Sequence, residues 1–203
     1  YCQNTYPSRA RIILVVITVC GEVLVDLVPD PVPQSRYNAK PGGGPANTAV
    51  AIARLGSPVA MLARLSRDGF GHLLRAHLDS NGVDVSHAVV ADEPSSIAVA
   101  VLADDGSADY RFLVAATADW GWTDAELDNV PSDTVAIHSG SVALAIAPGG
   151  AAVERWLTRA RPSWTVSLDP NIRPALIADL RAHREVVQRC VAAADIVKVS
   201  AED

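Results

Sequence analysis

Three consecutive glycines, Gly42 to Gly44, lie in the segment of this 203-residue chain whose residue types are best suited to binding a ligand. Glycine lacks a Cβ, so backbone can approach a ligand closely there and can adopt positive φ. Pro45 follows directly, and proline is favoured at the start of a helix. Small apolar residues at helical spacing fill Ala46 to Leu55. The segment predicts a glycine-rich turn opening into a helix, whose free N–H groups and Asn47 side chain offer partners to a small polar ligand.

This glycine run differs from the two commonest nucleotide-binding loops. A P-loop requires Gly-Lys before Ser or Thr, and no Gly-Lys pair occurs in the sequence. A dinucleotide fingerprint requires a third glycine three residues after the second, where this chain has Asn47. These differences exclude a P-loop and argue against an oxidoreductase that binds a nucleotide cofactor. A purely structural helix start stays equally compatible with the glycines alone.

Three further polar sets follow predicted strands. The carboxylate of Asp26 could bind two neighbouring hydroxyls, as in polyol recognition, although an isolated aspartate is more often a turn residue. In the segment Asp169–Pro174, the Arg173 guanidinium could hold a carboxylate or phosphate, or pair with an internal aspartate. The acids of Ser200–Asp203 could help to hold water or a metal, or could simply be solvated. No nucleophile and base have the spacing of a hydrolase, so a hydrolase is disfavoured.

Apolar runs and helical patterns alternate along the chain, which predicts a parallel α/β sheet. Strands are predicted at 12–19 (continuing through 22–26), 59–63, 134–138, 165–168 and 196–199, and helices at 46–55, 70–81, 150–160 and 185–194. Two short strands at 97–103 and 110–115 flank Asp104-Asp105-Gly106-Ser107, a hairpin signal. The hairpin predicts a small antiparallel lid beside the main sheet.

Composition limits the class of protein. Hydrophobic residues make up 49% of the chain and charged residues 20%, which predicts one well-packed domain. The net charge of −6 includes no basic cluster, so nucleic acid is not an expected partner. Three widely separated cysteines indicate a reducing, cytoplasmic setting. The apolar run from Ile12 to Cys20 is shorter than the roughly 20 residues that span a bilayer, so we predict a buried strand and no membrane association. Tyr1 begins the chain and Met61 is its only methionine, so residues 1–11 are expected to be an extension.

Taken together, these segments resemble the ribokinase-like (PfkB) carbohydrate kinases over nearly the whole chain, from about Val15 to Asp203. The resemblance is greatest to the fructokinase and ketodeoxygluconate kinase branch. The segments that carry it, in order, are Gly21–Asp26, Gly42–Ala49, Arg67–Gly71, Asn81–Asp84, the hairpin Ile97–Ala115, Thr117–Trp120, Asp169–Pro174 and Val197–Ser200.

The resemblance implies a partial ribokinase-like domain over residues 12–203, a three-layer α/β sandwich with a mainly parallel sheet. It implies lid segments at about 27–40 and 95–115, which close over the sugar and mediate a homodimer. It also implies transfer of the ATP γ-phosphate to a sugar hydroxyl with Mg²⁺. The substrate-binding positions carried over are Asp26, Gly42, Gly43, Asn47, Phe112 and Arg173. No direct metal ligand is implied, and Asp203 would act on the metal through water.

The sequence departs from the family pattern at three places. Ser66 stands where the first signature closes with glycine, and Ser200 and Asp203 stand in the positions of an Asn-x-x-Glu motif. The second signature, of Gly-Ala-Gly-Asp type, is absent, so its catalytic aspartate and anion hole would lie beyond Asp203. We therefore expect a C-terminally truncated fructokinase that is inactive as given. Ketodeoxygluconate kinase or ribokinase-type specificity, and a non-catalytic sugar-binding pseudo-kinase, remain alternatives.

Overall fold

The computed structural model describes residues 15–30, 35–102, 108–160, 163–201 and 203. The predicted extension at 1–11, the first residues of the predicted strand at 12–19 and the predicted hairpin turn at 104–107 lie outside the described residues.

Strands and helices alternate through the described ranges as the sequence predicts. In chain order they are β1 (Val16–Cys20), β2 (Leu24–Pro29), β3 (Tyr37–Gly42), α1 (Gly44–Arg54), β4 (Val59–Leu62), β5 (Arg64–Ser66), α2 (Gly69–Ser80), β6 (Val89–Ala91), β7 (Ile97–Leu102), β8 (Ala108–Leu113), α3 (Asp124–Leu127), β9 (Thr134–Gly140), α4 (Gly149–Ala160), β10 (Thr165–Asp169), α5 (Leu180–Ala193) and β11 (Ile196–Val197). Short 3₁₀ turns occupy Ala118–Trp120, Ser141–Leu144 and Pro174–Leu176.

The central sheet is parallel throughout, with the strand order β11-β10-β9-β1-β4. Its side chains alternate between two buried cores: Val19 and Met61 pack into one, and their neighbours Cys20 and Leu62 into the other. Helices α1 and α2 complete the first core, and α4 and α5 complete the second. Both faces of the sheet are therefore covered, which explains the unbroken apolar runs of β1 and β4 and confirms the predicted three-layer α/β fold.

The prediction that the first strand continues through residue 26 is wrong. The chain leaves the central sheet at Gly21, where φ is +154°, and enters a different sheet as β2. A Cβ on Gly21 would lie 2.3 Å from Cγ of Pro45, so only glycine fits this turn against the start of α1. As a result Asp26 lies within β2 rather than at the end of the first strand.

The second sheet has the order β3-β2-β7-β8. Its two outer pairs are antiparallel, and β2 and β7 pair in parallel in the middle. The hairpin predicted from 97–115 is present as β7 and β8. Strand β3 continues directly into the glycine run, so this sheet is joined to the start of α1 without a loop.

Side-chain caps fix the starts of two helices. Asp68 accepts a hydrogen bond from the backbone N–H of Gly71 at 2.7 Å and so begins α2. Asp179 accepts from the backbone N–H groups of Arg181 and Ala182, so α5 begins at Leu180, five residues earlier than the sequence pattern predicts.

Candidate sugar-binding site

A cavity of about 230 Å³ opens between the second sheet and the carboxyl ends of the central strands. Its walls come from β2, the glycine run, β7, β8, the turn after β9 and the segment after β10. The lining residues are Glu22, Leu24, Asp26, Gly43, Gly44, Ala98, Tyr110, Phe112, Ser141, Val142, Asn171 and Arg173. Several separate elements thus converge on one concave surface with both polar and apolar groups, as expected of a small-molecule site.

Asp26 presents its carboxylate to this cavity from the middle of β2. Partial burial raises its pKa, and no hydrogen bond from a described residue offsets that burial. Gly42 lies directly behind it, because a Cβ on Gly42 would come within 2.2 Å of Oδ2 of Asp26. The glycine therefore makes room for a carboxylate whose oxygens are available to a ligand.

The glycine run forms the rim between the second sheet and α1. Gly43 is the N-terminal cap of α1 and has φ of +108°, and a Cβ there would lie 2.5 Å from the backbone oxygen of Glu22. At Gly44, a Cβ would lie 3.1 Å from Nδ2 of Asn171. Because these glycines have no side chains, the start of α1, the turn at Glu22 and the segment after β10 can lie close together beside the cavity.

Two aromatic side chains of β8 form an apolar wall. The rings of Tyr110 and Phe112 stack at a centroid distance of 6.3 Å and an interplanar angle of 28°. Phe112 is opposite Ala98 of β7 in the sheet register, and all three residues line the cavity. Such aromatic side chains offer a large apolar surface on which the apolar face of a ligand can pack.

The segment after β10 supplies a cation. The Nη1 group of Arg173 donates to the backbone oxygens of Ile172 at 3.0 Å and of Asn171 at 3.4 Å. These bonds use one of the three guanidinium nitrogens and hold the guanidinium group beside the cavity, which Arg173 lines. Arg173 is exposed, so its charge can also contact a ligand oxygen.

Two buried carboxyl groups interact with each other, and one of them, Glu22, lines the cavity. Glu22 and Asp119 are each 2% exposed. Burial raises the pKa of Glu22 to about 7 against opposing hydrogen bonds from Ser141 and Gly44, with the charge of Asp119 adding to the rise. Burial likewise raises the pKa of Asp119 to about 6, although hydrogen bonds from Ser96 and the backbone N–H of Val23 act to lower it. Raised acid pKa values beside a cleft are typical of functional sites.

The structure brings four of the six carried-over substrate positions together: Asp26, Gly43, Phe112 and Arg173 line the cavity. Gly42 does not line the cavity but lies directly against the carboxylate of Asp26. Asn47 is exposed on the first turn of α1, and its side chain does not line the cavity.

Asp203 is held by the same segment that carries Arg173. Its carboxylate accepts hydrogen bonds from the backbone N–H of Ile172 at 2.6 Å and from the backbone N–H and hydroxyl of Ser200 at 2.7 and 2.8 Å. Burial would raise the pKa of Asp203, but these bonds and the charge of Lys198 hold it below its usual value. Within the described ranges, no group of three or more His, Cys, Asp or Glu side chains is arranged to hold a metal ion.

Sequence reasoning did not assign Glu22, Tyr110, Ser141 or Asn171 to the site. The sequence did offer a sign of Glu22, because a single carboxylate beside an apolar run is either exposed or, if buried, needs a partner or a changed protonation state. Asn171 lies within the polar segment Asp169–Pro174 that the sequence analysis singled out, although no role was predicted for it. Nothing in the sequence pointed to Ser141, because only the folded chain brings it beside Asn171.

Residues 16–203 match the family model described as pfkB family carbohydrate kinase. The chain belongs to this family. A fructokinase of Rhizobium leguminosarum bv. trifolii is 38% identical over 189 residues, which make up 92% of this chain and 58% of that protein. Fructokinase-1 of Oryza sativa subsp. japonica is 36% identical over 188 residues, covering 89% of this chain and 58% of that protein.

Solved fructokinases have the same fold as this pfkB family chain. A Vibrio cholerae O395 fructokinase in a form with fructose, ADP and calcium ion bound has a TM-score of 0.80 and 31% identity, covering 94% of this chain and 61% of the other. A Xylella fastidiosa fructokinase with bound ATP has a TM-score of 0.82 and 28% identity, covering 92% and 58%. The chain thus spans about 60% of the length of the relatives it matches. None of the helices in the described ranges has the length and apolar character needed to cross a bilayer.

Proposed function

We propose that this chain carries the sugar-binding part of a cytosolic fructokinase, which transfers the γ-phosphoryl group of ATP to a hydroxyl of fructose. The observation that carries the proposal is the cavity in which the Asp26 carboxylate faces an aromatic wall and a guanidinium. Membership of a carbohydrate kinase family and the fructokinases among its relatives support the same substrate class.

Each wall of the cavity has a role in this proposal. Asp26 accepts hydrogen bonds from two adjacent sugar hydroxyls, which a single carboxylate can do with its two oxygens. Phe112 and Tyr110 pack on the apolar face of the ring. Gly43 lets the backbone approach the sugar, and the exposed Asn47 on α1 binds a hydroxyl when the second sheet closes towards this helix. The second sheet is the lid, with segments at about 27–40 and 95–115, and its closure keeps water away from the reacting phosphate.

ATP supplies the phosphoryl group in this proposal, and Mg²⁺ stabilises the charge that develops on it. The described residues provide no direct magnesium ligand set, and we assign Asp203 a role through water. Asp203 contributes by holding the segment that carries Arg173. Because the sequence contains no Gly-Ala-Gly-Asp motif, we propose that these 203 residues bind sugar without turning it over.

Fructose binding by isothermal titration calorimetry tests the assignment of Asp26. Asp26→Asn keeps the size of the side chain but removes the charge, and hydrogen bonds to a charged group contribute about 1.5–3 kcal/mol. We expect the fructose Kd to rise about 10- to 100-fold. Asp92→Asn is the control, because Asp92 is 90% exposed in a surface pair with Arg67. Equal fructose affinity in Asp26→Asn and the wild type would refute the assignment.

A sugar acid is the second substrate candidate, because Arg173 lines the cavity and could pair with a carboxylate. If the substrate is ketodeoxygluconate, Arg173→Met weakens binding of that acid much more than binding of fructose. Titration of both sugars, and of ribose, against the wild type and Arg173→Met ranks the three specificities. Equal weakening for both sugars would remove the sugar acid from consideration.

A non-catalytic sugar-binding protein is the alternative from another class. Both functions predict fructose binding, and only a kinase releases ADP in the presence of sugar and ATP. An ADP-release assay on the full-length gene product separates them: sugar-dependent ADP release supports the kinase, and binding without release supports the non-catalytic protein.

A homodimer through the second sheet completes the proposal. Tyr37, Val101 and Leu113 of this sheet are 50%, 46% and 58% exposed. Burying such apolar side chains between two copies would stabilise a dimer. Light scattering coupled to size exclusion tests it: Leu113→Asp should shift a dimer to a monomer, and an unshifted mass would exclude this surface.

A further inference from the structure

A line of three polar side chains crosses the floor of the cavity. The side-chain amide of Asn171 donates to Oγ of Ser141 at 3.0 Å. The hydroxyl of Ser141 and the backbone N–H of Gly44 lie beside the carboxyl of Glu22, and both act to lower its pKa. Because the Ser141 oxygen already accepts from Asn171, its hydroxyl proton is free to point at Glu22. Along this line the donors therefore all point the same way: the Asn171 amide points at the Ser141 hydroxyl, and that hydroxyl points at the Glu22 carboxylate.

The backbone is strained at two of the three residues in this line, Ser141 and Asn171. Ser141 has φ of +57° and Asn171 has φ of +39°, the left-handed conformation that side-chain-bearing residues seldom adopt. Such residues persist only where the surroundings hold them, most often at functional sites. Here the hydrogen bond between their two side chains is part of what holds them.

Glu22 is the buried end of this line. It is 2% exposed, and its Oε2 atom has no hydrogen-bond partner among the described residues. Its Oε1 atom, Oγ of Ser141 and Nδ2 of Asn171 all converge on Gly44, where a Cβ would lie 3.7, 3.5 and 3.1 Å from them. The acid thus links the start of α1 to the segment that carries Arg173.

We propose that Glu22 is a positioning residue, which sets the orientation of Asn171 and Arg173 over the cavity through Ser141. Glu22 does this best as a carboxylate, because an ionised acceptor makes the stronger hydrogen bond to a hydroxyl. The proposal rests on the proposed sugar site for its effect on binding, but the line itself is independent of the ligand. Titratable and charged groups lie near Glu22 on every side, and of these Asp119 acts to raise its pKa. The others are Cys20 beside it, Asp26 and Arg173 around the cavity, and His138 and Asp169 on β9 and β10 near Ser141.

The first experiment follows the side-chain amide of Asn171 in ¹H–¹⁵N NMR spectra from pH 5 to 8.5, with Asn171→Asp identifying the signal by its loss. Since burial raises the pKa of Glu22 to about 7, the amide should shift with a midpoint near that pH. Glu22→Gln should abolish the transition, and Ser141→Ala, a second variant that breaks the middle link, should do the same. An amide that does not titrate, or that titrates unchanged in Glu22→Gln, would overturn the proposal.

The second experiment measures fructose affinity by calorimetry at pH 6 and pH 8. If only the ionised form of Glu22 positions the site, an acid of pKa about 7 makes the Kd about tenfold weaker at pH 6 than at pH 8. In Glu22→Gln the fructose Kd should be the same at pH 6 and pH 8. Glu154 lies on α4 in a pair with Arg189, so the control Glu154→Gln should keep the tenfold difference. The same tenfold ratio in Glu22→Gln would assign the pH effect to another group and overturn the proposal.

The two experiments separate two different failures. A wild-type chain that binds no fructose, but whose Asn171 amide titrates through Glu22, refutes the proposed function and leaves the positioning role supported. A chain that binds fructose with no titration of the amide refutes the positioning role alone.

Discussion

Gly43→Ala perturbs the one glycine of the rim that combines positive φ with a backbone contact. Its φ of +108° and ψ of 130° lie outside the regions that alanine adopts readily. A Cβ there would also lie 2.5 Å from the backbone oxygen of Glu22 and 3.4 Å from Cα of Val23. Because a backbone oxygen cannot rotate aside as a long side chain can, the start of α1 must move.

The expected cost has two parts. An unfavourable backbone conformation costs about 1–3 kcal/mol, and relieving a contact in a packed region costs about 1–3 kcal/mol more. We therefore expect Gly43→Ala to lower the free energy of unfolding by about 2–6 kcal/mol. Since the displaced segment forms the cavity rim, fructose affinity should fall with stability.

Two other glycines supply matched controls. Gly56 has φ of +82°, and a Cβ there would have no atom within 4 Å, so Gly56→Ala reports the backbone cost alone, about 1–2 kcal/mol. Gly69 begins α2 in open space without positive φ, so Gly69→Ala should be neutral or slightly stabilising. Urea unfolding of the three variants at one pH gives the comparison. If Gly43→Ala lowers the free energy of unfolding by no more than Gly56→Ala does, the steric argument is refuted.

Three further predictions concern stability and are each measured by urea unfolding. Asp68→Ala removes the side chain that caps α2 and that accepts hydrogen bonds from the backbone N–H and the hydroxyl of Ser95, both at 2.8 Å. We expect it to lower the free energy of unfolding by about 2 kcal/mol. The control Asp92→Asn, at an exposed surface pair, should leave the free energy of unfolding almost unchanged. Trp156→Ala empties the centre of the second core, where this side chain is fully buried, and should cost about 3–5 kcal/mol. Burial raises the folded-state pKa of Glu22 from 4.5 to about 7, so its contribution to stability is complete below pH 4.5 and is lost as the pH rises through 7. The wild type should therefore lose more stability between pH 5 and pH 8 than Glu22→Gln, by about 3 kcal/mol at most, and equal slopes would contradict the burial argument.

The sequence by itself determined the layered α/β fold. Strands such as β1 and β4 are apolar on both faces, and only a sheet covered on both sides can bury them. The glycine run followed by Pro45 likewise specified a tight turn and a helix start, because few other residues tolerate those backbone angles. These features depend on neighbours in the chain, so local patterns were enough to predict them.

The course of the chain after β1 depended on a contact that sequence patterns do not encode. Gly21 could turn or continue as strand, and its approach to Pro45, far along the chain, decided that it turns. That turn moves Asp26 from the central sheet into β2, where its carboxylate faces the cavity.

The cavity floor was decided by tertiary structure alone. Glu22, Ser141 and Asn171 come from three distant parts of the chain, and their side chains meet only when the strand ends come together at one edge of the sheet. The sequence supplied the acid, the hydroxyl and the amide. Their order, the left-handed backbone of two of them and the raised pKa of Glu22 follow from burial and packing, which only the folded chain creates.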